Sequence, residues 1–274
     1  MQFGCHISTR NGYLGAAQVA KKIGAEAFQY FPKNPRSLRT KSFDAKDAER
    51  CAAFCQEEGI VSIGHSAYPT NLAAEDNKLQ WVMDSVLNDL EITDACGSIG
   101  TVVHFASFHG DPIEGYKKMI DTLNRILLKW TGESLILIEN NAGKGGQLGL
   151  TLEELVKIRE LIDQPEKLGF CLDTCHAFAS GLWNGEDWSE VENRGEGLGY
   201  FKHLKAIHLN NSVYETGSRK DRHANIKKGQ IPLEAMKSFI CSPSVKKIPM
   251  ILETPSSKEY SHYDEIQELK KWAR

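Results

Sequence analysis

The 274-residue sequence lacks any apolar run that approaches the roughly 20 residues needed to cross a bilayer. No signal-peptide pattern precedes Gly4, and the seven cysteines are odd in number and irregular in spacing. These absences argue against a membrane protein and against a secreted domain held together by disulfides. We therefore expect a cytoplasmic protein without membrane contacts.

An excess of basic residues is also lacking, because 33 Lys and Arg stand against 36 Asp and Glu, for a formal net charge of -3. Nucleic-acid-binding proteins usually carry an overall positive field, so any DNA contact must be confined to a local surface. No Pro/Gly/Ser-rich linker interrupts the chain. One domain over residues 1–274 is the simplest interpretation, and we expect it to be a monomer.

What the sequence does contain is a regular alternation of strand and helix patterns. Apolar residues recur at helical spacing between the strands, as at Leu79, Val82, Val86 and Leu90. Parallel strands require such crossover helices, so the alternation favours an α/β fold of the (β/α)₈ TIM-barrel type, with a doubly wound open sheet as the alternative. The predicted strands are Gln2–Ile7, Ala27–Phe31, Val61–His65, Ile99–His104, Leu135–Glu139, Gly169–Asp173, Lys205–Leu209 and Pro249–Glu253.

Potential metal ligands stand at the ends of most of these strands. In a barrel the carboxyl ends of the strands converge on one mouth, where the active sites of this fold lie. Histidine nitrogen together with carboxylate oxygen suits Zn²⁺ or Mn²⁺, and so many ligands would need two or three ions that share a bridging carboxylate. The strand-end candidates are His65, His104, Glu139, Asp173, His208 and Glu253, and the following loops add His176, Asp221 and His223.

Other residues near the strand ends carry weaker signals. We interpret Cys171 and Cys175 as core cysteines, because neither belongs to a Cys-x-x-Cys pair, and Gly143-Lys-Gly-Gly146 as a turn. His6 and His109 are expected in structural or ligand-supporting roles. Basic residues follow the second and seventh strands and suggest a groove for the DNA backbone, namely Lys33, Arg36, Arg39, Lys41, Arg219, Lys220, Arg222, Lys227 and Lys228.

Several longer motifs occur in an order and spacing that are specific to one family. They are Gly4-Cys-His-Ile-Ser8, Phe31-Pro-Lys-Asn-Pro-Arg36, Ile138-Glu-Asn-Asn-Ala-Gly143, Cys171-Leu-Asp-Thr-Cys-His-Ala-Phe-Ala179, His208-Leu-Asn210, Gly217-Ser-Arg-Lys-Asp-Arg-His223 and Ile251-Leu-Glu-Thr254. In these motifs the sequence resembles the endonuclease IV family, zinc-dependent abasic-site endonucleases, over essentially the whole chain.

The resemblance implies three Zn²⁺ ions in the barrel mouth, with Mn²⁺ as an alternative at one or more positions. Glu139 would bridge two ions that are also held by His65, His104, Asp173, His208 and Glu253, and the third ion would be held by His176, Asp221 and His223. Glu253 would orient the attacking hydroxide as general base, which makes Glu253 and Glu139 the implied catalytic residues.

The family's reaction is hydrolysis of the phosphodiester 5′ to an abasic site in duplex DNA, which leaves a 3′-hydroxyl and a 5′-deoxyribose phosphate. Blocked 3′ ends are usually processed too, and association with the nucleoid during repair is implied. Arg36 and Tyr68 are the implied DNA-binding wedge, which fills the gap when the abasic nucleotide is extruded.

The sequence departs from the family pattern at three places. Asn211 stands where Asp is usual, Pro69 follows Tyr68 where a larger apolar residue is common, and residues 224–228 differ from a more typical His- and Glu-containing stretch. The first change questions the hydrogen bonds around His208. A sugar isomerase or epimerase of the same barrel class, and a non-catalytic DNA-binding protein on this scaffold, remain the alternatives.

Overall fold

The computed structural model describes residues 1–273, in which eight parallel strands close into a barrel. The strands are β1 (Phe3–His6), β2 (Ala27–Tyr30), β3 (Val61–His65), β4 (Gly100–His104), β5 (Leu135–Glu139), β6 (Leu168–Asp173), β7 (Leu204–His208), β8 (Asn211–Ser212), β9 (His223–Ala224) and β10 (Met250–Leu252). Around the barrel the strands follow the order β1-β10-β7-β6-β5-β4-β3-β2, and β8 and β9 form a separate antiparallel hairpin.

Helices cover the outside of the barrel and bury their apolar stripes against it. Local signals fix several of their ends: Thr151 and Ser261 begin helices with capping boxes, and Asp111 caps a helix with proline at its first position. The helices are α1 (Gly12–Lys22), α2 (Ala45–Glu58), α3 (Asp76–Ala95), α4 (Pro112–Lys129), α5 (Leu152–Leu161), α6 (Thr174–Ser180), α7 (Ser189–Leu198), α8 (Leu233–Cys241) and α9 (His262–Trp272).

The predicted barrel is confirmed. All eight predicted strands are present, and no predicted end differs from the observed one by more than one residue. Pairing of β1 with β10 closes the sheet, which makes the open doubly wound alternative wrong. Among residues 1–273, no helix combines the length and apolar character needed to cross a membrane.

A layer of small and apolar side chains fills the barrel interior. Its residues form a cluster that is separate from the larger core between sheet and helices: Ala27, Ile63, Val102, Leu137, Cys171, Ala206 and Ile251. Gly4 completes this layer on β1, where it pairs with Ala27 and Ile251. A Cβ at Gly4 would lie 1.6 Å from the Ala27 carbonyl oxygen, so only glycine allows β1 and β2 to approach this closely.

A buried ion pair between Lys33 and Asp89 attaches the loop after β2 to α3. Lys33 Nζ also donates to the Ser85 carbonyl at 2.8 Å. The expectation that Lys33 adds positive charge to the mouth is therefore wrong: its ammonium faces inward and is neutralised. A basic residue in a loop looks solvent-exposed in the sequence, whereas its acidic partner lies 56 positions away on another element.

We expect Lys33→Met and Asp89→Leu each to lower the free energy of unfolding by about 3–5 kcal/mol, because each leaves an unpaired buried charge. The double variant should be more stable than either single variant, since it removes both charges together. Urea unfolding of the four proteins tests this coupling. Additive losses in the double variant would show that the pair is not coupled.

Candidate metal centre

Eight polar side chains form a ring directly above the interior layer, here called the mouth ring. Each stands two residues after a member of that layer, and two residues is the period that returns a strand side chain to the same face. The mouth ring consists of His6, Gln29, His65, His104, Glu139, Asp173, His208 and Glu253. Six of these are predicted ligands, and His6 and Gln29 complete the circle.

Glu139 lies among four histidines and is almost fully buried. Its Oε2 atom is 3.6 Å from His65 Nε2 and 3.3 Å from His104 Nε2. Its Oε1 atom is 3.0 Å from His208 Nδ1 and 3.2 Å from His176 Nδ1. The two oxygens of one carboxylate thus face different groups of nitrogen atoms.

Asp173, His208 and Glu253 form the opposite side of the mouth ring. His208 Nδ1 is 3.3 Å from Glu253 Oε2 and 3.8 Å from Asp173 Oδ2. Asn210 contacts both residues: its Nδ2 donates to Asp173 Oδ2 at 2.8 Å and to Glu253 Oε2 at 3.4 Å, and its Oδ1 accepts from the Glu253 backbone amide at 2.9 Å.

His176, Asp221 and His223 form a second group above the ring, here called the outer triad. Asp173 caps α6 by accepting from the His176 amide at 2.7 Å, so the cap itself sets His176 in place. The segment that joins β8 to β9 supplies Asp221, whose Oδ1 lies 3.3 Å from His176 Nε2 and 3.4 Å from His223 Nε2. His223 Nε2 is also 3.5 Å from Asp173 Oδ2, which links the outer triad to the ring.

The structure therefore brings all nine predicted ligands together. Tyr68 lines a cavity of about 350 Å³ with six of them, and its side chain is 61% exposed. Its amide donates to the Pro35 carbonyl at 2.8 Å, so the loops that carry Tyr68 and the exposed Arg36 are joined. Tyr68 therefore lies at the rim of the candidate centre, and Arg36 lies on the adjoining loop.

The remaining candidates lie at the edge of the site or beneath it. His6 contacts the Gln29 amide at 3.2 Å, whereas His109 lines a separate cavity of about 530 Å³ with Arg219. Cys171 belongs to the interior layer. Cys175 is buried beside Asp173 and His223, and its thiol contacts the Arg222 carbonyl.

Two histidines are oriented by hydrogen bonds to backbone carbonyls. His65 Nδ1 lies 2.8 Å from the Ser66 carbonyl oxygen, and His176 Nδ1 lies 2.9 Å from that of Asn140. A carbonyl only accepts, so Nδ1 carries the proton in each case and Nε2 is left as a lone-pair donor that faces a carboxylate. This arrangement is typical of histidines that bind metals.

The donor set fits a metal cluster by two further observations. Within residues 1–273, the buried atoms Glu139 Oε2, His176 Nε2 and His223 Nε2 have no hydrogen-bond partner, although burial without one is costly. The separations of 3.3–3.6 Å in the outer triad and around Glu139 Oε2 exceed hydrogen-bond lengths. They match the distance of about 3.4 Å between two ligand atoms bound tetrahedrally to one zinc ion.

The electrostatics of the cluster reflect four carboxylates in a largely buried space. Burial favours protonation of Glu139, but the charges of His208 and His104 and the hydrogen bonds from His176 and His208 together outweigh it and hold the pKa of Glu139 well below its ordinary value. Burial also favours protonation of Glu253, but the charges of His208, His65 and His223 outweigh it and lower the pKa of Glu253 to about 2. Burial disfavours protonation of His176, yet Asp173 and the other carboxylates raise the pKa of His176 well above its ordinary value. Carboxylate charge dominates the site and favours bound cations.

Sequence reasoning missed several residues of this site. Lys144, interpreted as part of a simple turn, is exposed and lines a cavity of about 240 Å³ beside His104, His176 and Asp221. Asn140 and Asn210 both position Asp173. Asn140 directly follows the end of β5 and Asn210 lies two residues after the end of β7, so their places in the sequence could have identified them. Gln29 gave no signal, since a single polar residue inside a strand usually faces solvent.

Asn211, which differs from the family pattern, makes its hydrogen bonds away from His208. Its Nδ2 donates to the Ile226 and Ile231 carbonyls at 3.0 and 2.9 Å, and its Oδ1 accepts from the Ile231 amide. Asn211 thus organises the loop after β9, while the ring nitrogen of His208 that faces away from the carboxylates contacts Gln29. The hydrogen bonds of the Asn211 side chain therefore do not involve His208.

A closed barrel with ligand side chains at the strand ends defines a class of proteins. Residues 17–274 match the family of xylose isomerase-like TIM barrels, to which the chain therefore belongs.

Within this class the chain is a member of the endonuclease 4 family, and so a nuclease. It is 42% identical over 268 residues to a probable endonuclease 4 of Symbiobacterium thermophilum, with 97% of each chain covered. It is 34% identical over 276 residues to one of Thermosipho melanesiensis, covering 98% of this chain and 97% of that one. The crystal structure of endonuclease IV from Thermus thermophilus superimposes with a TM-score of 0.87 at 32% identity, covering 99% and 98% of the two chains.

Because both Glu139 oxygens face ligand nitrogens, we expect Glu139→Gln to lose more than one metal ion per chain. His223→Ala should lose only one, since His223 lies in the outer triad. Elemental analysis after dialysis against a mild chelator measures both. Equal losses in the two variants would contradict the central position of Glu139.

Proposed function

We propose that this chain is a DNA-repair endonuclease that hydrolyses the phosphodiester 5′ to an abasic site in duplex DNA, leaving a 3′-hydroxyl and a 5′-deoxyribose phosphate. The observation that carries the proposal is the outer triad held against the mouth ring by Asp173, in a chain of the endonuclease 4 family. Removal of blocking groups from 3′ ends would use the same site, because it is also phosphodiester hydrolysis.

Three groups of ligands would hold three Zn²⁺ ions. His65 and His104 would share Glu139 Oε2, whereas His208, Asp173 and Glu253 would share Glu139 Oε1. The outer triad would hold the third ion. Mixed nitrogen and oxygen ligands suit zinc, and Mn²⁺ is the alternative at the more oxygen-rich positions.

The proposed catalytic roles follow from the carboxylates. Bound zinc supplies Lewis acidity for attack on a phosphodiester and for departure of its 3′ oxygen. Glu253 is ionised, partly exposed and faces the cavity, so its carboxylate can accept a hydrogen bond from the attacking water and orient it. We therefore assign Glu253 the role of the general base that orients the attacking water. Glu139 would contribute one carboxylate oxygen beside His65 and His104 and the other beside His208, so it would serve both ion positions of the mouth ring.

The surface around the centre is suited to a bent DNA backbone. Lys144 at the cavity and the exposed Arg36, Arg39 and Arg222 carry positive charge at the mouth of a chain whose formal net charge is -3. Tyr68 packs edge-on against Phe31, with ring centroids 5.3 Å apart, and still exposes most of its side chain. An abasic nucleotide is cheap to extrude, and Tyr68 and Arg36 would fill the space that it leaves.

The sugar isomerase alternative explains less of this site. A crystal structure of a D-tagatose 3-epimerase-like protein has a TM-score of 0.70 at 17% identity, a similarity that concerns the fold alone. Such enzymes bind one or two metal ions, so the outer triad would have no ion to bind. A charged mouth with Lys144 and Arg36 also suits a phosphodiester better than a neutral sugar.

The proposal predicts incision of an abasic duplex without added magnesium, because the ligands would retain zinc through purification. The cut should lie 5′ to the lesion, and prolonged treatment with a strong chelator should abolish it. A sequencing gel with both strands end-labelled gives the position and the termini. An intact duplex, or a cut only 3′ to the lesion, would refute the assignment.

The wedge residues should act on substrate binding and leave the metal content unchanged. For Tyr68→Ala, the loss of base stacking of about 1–3 kcal/mol should raise the half-saturating enzyme concentration in single-turnover incision roughly 5- to 150-fold. Arg36→Ala should act in the same direction.

Leu128→Ala provides the matched control, because Leu128 is 78% exposed at the end of α4, on the far side of the barrel from the mouth. It should behave like the wild type in both binding and metal content. Unchanged binding in both wedge variants would argue against a wedge at these positions.

A further inference from the structure

We propose that Gln29 is a positioning residue of the metal centre, whose amide determines which nitrogen of His208 faces the carboxylates and also holds Glu253. This inference rests on the metal centre proposed above. Gln29 lies in β2 on the interior face of the barrel and is fully buried. A buried amide in a closed barrel must find its partners inside, and here they are residues of the mouth ring.

The oxygen of the Gln29 amide determines which ring nitrogen of His208 carries the proton. His208 Nε2 lies 2.7 Å from Gln29 Oε1, and an amide oxygen only accepts hydrogen bonds. Nε2 must therefore carry a proton. Nδ1 is then the nitrogen left to bind a metal, and it faces Glu139 Oε1 at 3.0 Å and Glu253 Oε2 at 3.3 Å.

The nitrogen of the same amide fixes its orientation. Gln29 Nε2 lies 2.6 Å from Glu253 Oε1 and 3.2 Å from His6 Nδ1. A flipped amide would set its oxygen 2.6 Å from the Glu253 carboxylate, which only accepts hydrogen bonds, so that contact would become repulsive. Glu253 thus orients Gln29, and Gln29 orients His208.

Gln29 does for His208 what backbone carbonyls do for His65 and His176, with the two ring nitrogens exchanged. In those residues Nδ1 donates to a carbonyl and Nε2 faces the cluster, whereas in His208 Nε2 donates and Nδ1 faces the cluster. A backbone carbonyl cannot be removed by substitution. His208 instead depends on a side chain, so its orientation can be tested by mutation.

The test variant is Gln29→Met, which keeps the length of the side chain and loses the contacts to His208, Glu253 and His6. Loss of such a supporting contact typically costs about 10- to 100-fold in metal affinity. Competition of the zinc-loaded protein with a chromophoric chelator should therefore show one ion released about 10- to 100-fold more readily, with the others unchanged.

Thr101→Val is the matched control. Thr101 is also a fully buried polar residue of a barrel strand, but its hydroxyl contacts Thr93 on α3 at 3.1 Å, outside the barrel. Its zinc release should equal that of the wild type even if both variants unfold at lower urea concentration. Parallel changes in zinc release for the two variants would mean that Gln29 serves only stability, and would overturn the proposal.

A spectroscopic measurement tests the proposal even if Gln29→Met fails to fold. Long-range ¹H–¹⁵N spectra of zinc-loaded wild type, with His208 assigned by comparison with His208→Asn, distinguish the two ring nitrogens. We expect the proton on Nε2, and His65 and His176 should carry theirs on Nδ1. A His208 that is protonated on Nδ1 would overturn the inference.

Failure of the metal centre and failure of this inference have different signatures. Wild type that binds no zinc at micromolar concentrations would overturn the centre, and the role of Gln29 with it. Zinc-loaded wild type with unchanged release in a folded Gln29→Met would overturn the role of Gln29 alone.

Discussion

The buried negative charge of Glu139 and Asp173 is the constraint on which the mouth of this barrel depends. An isolated buried carboxylate is strongly destabilising, so each must be matched by positive charge or by hydrogen-bond donors. His176 and His208 provide part of this match, because their pKa values lie well above the ordinary value and both rings can carry positive charge in the absence of metal. Cations and protons therefore compete for the same nitrogen atoms, and binding of one releases the other.

The geometry that creates this charge cluster is simple. A strand has a period of two residues, so a closed barrel stacks its interior side chains in layers. The lower layer, from Ala27 to Ile251, is small and apolar. The next layer is polar on all eight strands and forms the mouth ring. The apolar layer excludes water from below, and the parallel strands hold the ligands at distances that a flexible loop would not maintain.

This regularity explains which parts of the molecule could be predicted from the sequence. Strand-end ligands such as His104 and Asp173 follow apolar runs directly, so local pattern alone locates them. Gln29 could not be found in this way, because its role depends on His208, which lies 179 positions away and meets it only when the barrel closes. The error at Lys33 has the same origin, since its partner Asp89 belongs to another element. Local chemistry is visible in a sequence, whereas pairing across the barrel is not.

The outer triad differs from the ring in the kind of support that it receives. His176 stands on a short helix capped by a ring ligand, Asp173, and Asp221 and His223 belong to a hairpin outside the barrel. Xylose isomerase-like barrels share the strand ends, so specialisation within the class must come mainly from what the loops add above them. Here the addition is coupled to the ring through Asp173, whose two oxygens serve the helix cap and, separately, Asn210 and His223. The proposed third ion would thus require no change in the barrel itself, only a loop that reaches a carboxylate already in place.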